Sequence, residues 1–99
     1  MATNEVQRRL REISDLHLDV TAYLMGATEH ATEAKRLVNA GARGGVVNRL
    51  FSLAINKEID ASHRNAMAAW EGNIAVEKQL SEFSRELADY ATTPQLAIA

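Results

Sequence analysis

Cysteine is absent from the 99 residues, which excludes disulfides, thiolate nucleophiles and thiolate metal sites. Proline occurs once, at Pro94, and aromatic residues make up only 5%. No apolar run approaches the ~20 residues that span a bilayer. The N-terminus, MATNEVQRRLREIS, lacks the apolar core of a signal peptide. The lack of a signal peptide and of a spanning segment points to a cytoplasmic protein, with non-classical secretion still compatible, and the missing cysteines do not bear on the compartment. No segment alternates at period two, so no strands are expected. The length fits one domain and leaves little room for an enzyme cleft beside a core.

What is present points to helices. Alanine, the best helix former, occurs 17 times, and hydrophobic residues make up 46%. Three of the five glycines fall within Gly41-Ala42-Arg43-Gly44-Gly45, a cluster that makes a turn. The expected fold is all-α: a long antiparallel helical hairpin with helices over about 4–39 and 46–90. A Gly-rich turn at 40–45 joins them, in a single domain over 1–91 with a flexible tail at 92–99. A break at Gly72 would instead give a three-helix bundle.

The first helix carries heptad columns. One reads Leu10, His17, Leu24, Ala31, Val38, and the next reads Val6, Ile13, Val20, Ala27, Ala34. Their alternating spacing of three and four predicts a coiled-coil seam, with His17 inside it as a register-fixing polar residue. A third column, Leu16, Tyr23, His30 and Leu37, widens the stripe beyond what a two-stranded coil needs. The alanines predict the closest helix approach near the turn. The second helix has a less regular face that includes Leu50, Phe51, Ile55, Ile59, His63, Trp70, Ile74, Leu80 and Leu87, widened by Met67, Val76 and Phe83. Residues beyond about 80 are expected to overhang the start of helix one. Two helices meeting along one line cannot bury such stripes, so self-association or a protein partner is expected.

Charge is uneven. Lys35, Arg36, Arg43, Arg49 and Lys57 lie in a stretch, 34–57, without an acidic residue, and the rest of the chain is net −7. The hairpin therefore has a basic tip, which suits an acidic partner. Macrodipole complementation explains Lys35 and Arg36 at a helix end, but not Arg49 in a first turn. Gly44 and Gly45, leading into a helix, could cradle an anion. Nucleic acid is disfavoured by the acidic total. Arg8, Arg9 and Arg11, answered by Glu5, Glu12 and Asp15, read as a solvated face.

Glu29, Glu58 and His63 are the candidate metal ligands, and a carboxylate–histidine metal-binding hairpin dimer is an alternative reading. With the turn near residue 43, Glu29 falls across from Glu58, but no Glu-x-x-His pair of the di-iron type is present. No catalytic residues, cofactor or phosphate-binding loop are expected, since the glycines follow a helix rather than a strand. Leu10-Arg11-Glu12-Ile13 resembles helical chorismate mutases only locally, because their ladder of inward arginines and lysine does not follow.

Trp70-Glu71-Gly72 resembles the tripeptide of the WXG-type small secreted helical hairpins. That resemblance implies a self-assembling secreted or structural subunit. In that family the tripeptide lies at the central turn, whereas here it lies well beyond it. Tyr90 is followed by Ala91-Thr92-Thr93-Pro94, not by the family's Tyr-x-x-x-Asp/Glu signal. The preferred expectation is a non-enzymatic protein that binds other proteins, such as an inhibitor, adaptor, chaperone or scaffold of bacterial or phage type. Its expected contact residues are Tyr23, Leu24, Phe51, Met67 and Trp70, with Arg43 and Arg49 at the tip.

Overall fold

The computed structural model describes residues 1–92. It is a two-helix hairpin: α1 (Thr3–Gly41), β1 (Ala42–Arg43), β2 (Val46–Val47) and α2 (Arg49–Thr92). At 1.5 Å per residue the helices are about 58 and 66 Å long. The expected exit from the helix at Pro94, with the tail beyond it, lies outside the described residues.

The turn departs from the expectation of no strands. Ala42 pairs with Val47 and Arg43 with Val46 in a short antiparallel ladder. Gly44 and Gly45 supply φ of +59° and +77°, the left-handed pair that a two-residue hairpin loop requires and that glycine adopts without strain. Short-range twist chemistry wins here over the absence of any period-two pattern. The ladder also moves the start of α2 to Arg49. Asn48 caps it, its Oδ1 accepting from the Phe51 N–H at 3.0 Å. Gly44 and Gly45 therefore do not form the helix N-terminus, and the expected anion cradle is not built there.

α2 runs unbroken through Gly72. A Cβ at Gly72 would lie 2.8 Å from Val20 Cγ2, so the glycine serves close packing rather than a break. Phe83 joins the core cluster with Ile13, Val20, Ala69 and Val76, and Met1 and Val6 pack against it. The C-terminal half of α2 is thus matched by the start of α1, and the expected overhang beyond residue 80 does not occur. The loop is centred on residues 44 and 45, later than expected, and each residue of shift moves the register by two.

The seam is not the pair of columns expected. Val6, Ile13, Val20, Ala27, Ala34 and Gly41 do face α2, flanked by Arg9, Leu16, His30 and Leu37. The column Leu10, His17, Leu24, Ala31, Val38 is exposed throughout, so His17 is not a seam residue. On α2 the inner column is Ile55, Ser62, Ala69, Val76 and Phe83, and Ile59, Trp70, Ile74, Leu80 and Leu87 point out. The physical reason is that two helices share a single contact line. Near the turn alanine, serine and glycine let the axes approach, at the open end Ile13, Val20, Val76 and Phe83 fill the line, and the columns beyond it stay exposed.

Candidate functional site

Among the described residues six hydrophobics are buried, whereas sixteen large hydrophobics are exposed. Six of the sixteen, Leu10, Leu24, Val38, Ile59, Leu80 and Leu87, fall in two columns, and Trp70 lies beside them. Beside the seam on one side runs the α1 column Leu10, His17, Leu24, Ala31, Val38, and α2 answers with Ile59, Ala66, Asn73, Leu80, Leu87, also seven apart. The structure brings the two columns to one face, where Val20, Leu24, Ala66, Ala69, Trp70 and Asn73 line a single shallow groove. Trp70 is 61% exposed and Leu24 52%.

The opposite face has different chemistry. There α1 presents Glu5, Glu12, Asp19 and Glu33, and α2 presents Ala54, Ala61, Ala68 and Ala75. Its groove is lined by Glu12, Asp15, Asp19 and Gln79 around Ile13 and Leu16. One face is therefore apolar and the other acidic, because the columns flanking the seam on either side differ.

The contact residues expected from sequence divide accordingly. Leu24 and Trp70 meet in the apolar groove. Met67 lies further round α2, half-exposed, and Tyr23 stands exposed at the edge of the seam. Phe51 lines a separate pocket with Leu37, Leu50 and Ala54. Its ring fills the space beside Gly41, where a Cβ would lie 2.3 Å away. Arg43 is exposed on β1 and Arg49 at the first position of α2. The helix-end explanation for Lys35 and Arg36 does not hold, because α1 continues to Gly41 and its last turn holds no base. Arg36 instead clasps Glu33 with two guanidinium hydrogen bonds, Nε to Oε2 at 2.8 Å and Nη2 to Oε1. Those bonds hold the Glu33 carboxyl below its ordinary range and raise the guanidinium.

Glu29, Glu58 and His63 are not brought together. Glu29 borders a groove on α1 with Leu24 and Met25, and His63 borders one on α2 with Asp60 and Arg64. Glu58 meets His30, whose Nδ1 donates to its Oε2 at 2.6 Å, since a carboxylate can only accept. Among the described residues no group of three or more His, Cys, Asp or Glu side chains is placed to hold a metal ion. Nor is any described helix long and apolar enough to cross a membrane.

Two contacts that bridge the helices are not among those expected from the sequence. Arg8 pairs with Glu12 at 3.0 Å as a solvated ion pair, but Arg9 leaves that face. It reaches Glu86 at 2.8 Å and lies 4.9 Å over the Phe83 ring. Ser62 Oγ donates across the seam to the Ala27 carbonyl at 2.7 Å. The heptad position of Arg9, seven before Leu16, was the available signal for the first.

No protein-family model, curated protein or solved structure matches this chain. Trp70-Glu71-Gly72 sits in the middle of α2, away from the turn.

Proposed function

We propose that this chain is a non-enzymatic interaction module that binds protein through its apolar face. The observation that carries the reading is that Leu10, Leu24, Val38, Ile59, Trp70, Leu80 and Leu87 are exposed on one face around the Leu24–Trp70 groove. Continuous exposed apolar surface of this kind marks docking sites in soluble proteins. An aromatic in a central, rim-protected position supplies much of an interface's binding energy. The basic tip, with Arg43 and Arg49 exposed, adds a charge-selective end to the same rod.

The test is a double charge insertion, Leu24→Glu with Trp70→Glu. Neither residue is buried, so helix content by circular dichroism should be preserved. Association should fall at least several-fold, as should binding of a hydrophobic dye such as anilinonaphthalene sulfonate measured at dilutions where the wild-type chain is monomeric. A wild-type chain that binds no dye and remains a cooperatively melting monomer overturns the reading.

A further inference from the structure

We propose that the apolar face is closed by a second, antiparallel copy of this chain, the two hairpins stacking into a four-helix bundle about a twofold axis at the Leu24–Trp70 groove. This rests on the reading that the face docks protein, and names the partner.

Three features of the hairpin lead there. The first is symmetry. Leu24 is the middle member of its five-residue column and Asn73 of the facing one, and both line the same groove. The apolar stripe thus extends two heptads to either side of the groove. A copy rotated by half a turn lays stripe on stripe along its whole length, and a staggered copy leaves heptads wet. A twofold contact is self-complementary and closes the assembly at two. Asn73 at the centre is the kind of polar residue that fixes register in a helical interface.

The second is charge. The segment 34–57 carries five basic and no acidic residues, whereas the open end, residues 1–15 and 77–92, carries seven acidic and five basic. Antiparallel stacking sets each basic turn over the partner's net acidic end. Parallel stacking sets the two basic turns together. The acidic column on the other face, Glu5, Glu12, Asp19 and Glu33, would repel its own copy, so only one face is used.

The third is area. The chain exposes 7707 Å², against about 5600 Å² for a compact protein of 10.9 kDa. The excess is larger than the ~800 Å² that each partner gives to a standard interface.

The lack of cysteine provides a clean background for the experiment. Ala88→Cys on the exposed side of α2 is spin-labelled, and mass is measured by light scattering alongside the inter-label distance. The expected result is twice the 10.9 kDa chain mass with labels about 55 Å apart, because residue 88 lies about 27 Å along the helix from the axis. Trp70→Glu should yield a helical monomer, Glu12→Lys should leave the dimer intact, and raising salt should weaken it. A distance under about 25 Å, the spacing of parallel neighbours, overturns the antiparallel arrangement. A monomer at micromolar concentration overturns the second copy. If that monomer still binds dye in a Trp70-dependent way, the docking face survives with another protein as its partner. If it binds none, both readings fall.

Discussion

The open end of the hairpin and the half nearest the turn are joined by different means. At the open end Ile13, Val20, Val76 and Phe83 bury bulky side chains. Arg9 seals that end, only 18% exposed along its side chain, between Glu86 and the Phe83 ring. Toward the turn the seam narrows to Ala27, Ala34 and Gly41 on α1, facing Ser62 and the partly buried Ile55 and Phe51 on α2. The α1 side supplies little apolar volume there. Polar links cross instead, from Ser62 to the Ala27 carbonyl and from His30 to Glu58. One half is held by volume removed from water, the other by close backbone approach and a few directed bonds. Deletions should therefore be costly at the open end, and additions costly at the turn.

The largest expected effect is Phe83→Ala, about 3–5 kcal/mol from lost transfer energy plus the cavity. Urea unfolding at fixed protein concentration measures it. A loss below about 1 kcal/mol would mean the open end is not the packed half. Next is Gly41→Ala. Alanine gains helix propensity of up to ~1 kcal/mol, but the added Cβ meets the Phe51 ring at 2.3 Å. Overpacking costs about 1–3 kcal/mol, so thermal melting should show net destabilisation. An increase in melting temperature would show that the ring yields freely.

Ser62→Ala removes the helix-crossing hydrogen bond and should cost about 0.5–1.5 kcal/mol. A double-mutant cycle on His30 and Glu58 should give a coupling of roughly 1 kcal/mol or less, since both side chains are partly solvated. The smallest effect belongs to Glu33→Gln. The folded carboxyl is held below its ordinary range by the hydrogen bonds from Arg36. Its contribution is therefore present above that range and is lost as pH falls through the depressed value. Melting curves of Glu33→Gln and wild type should converge in acid. A gap that widens in acid would reverse the assigned sign.

Much of this was legible in the chain. The heptads in 4–39, the glycine cluster and the scarcity of proline specify two helices and a turn, because local propensity and period need no tertiary information. The column Val6 to Ala34 is legible as seam-forming, whereas the groove that Leu24 and Trp70 share is not. The choice between flanking columns was not legible. Leu10 and Leu24 are as hydrophobic as any residue that is buried, and composition cannot tell a seam from its neighbour. The inward turn of Arg9 was hidden for a related reason, since nearby carboxylates in sequence offered it an equally good partner.

By itself, then, the sequence determined the helices, their breaking point and the surplus of apolar surface. Each follows from interactions within a few residues or from simple counting. Only the tertiary structure decided which column is buried. The two-glycine loop sets the register, and a two-helix contact has a single line, so only one column of each helix can be buried on it. Leu10, Leu24, Val38, Ile59, Trp70, Leu80 and Leu87 are left on one face, and Glu5, Glu12, Asp19 and Glu33 on the other.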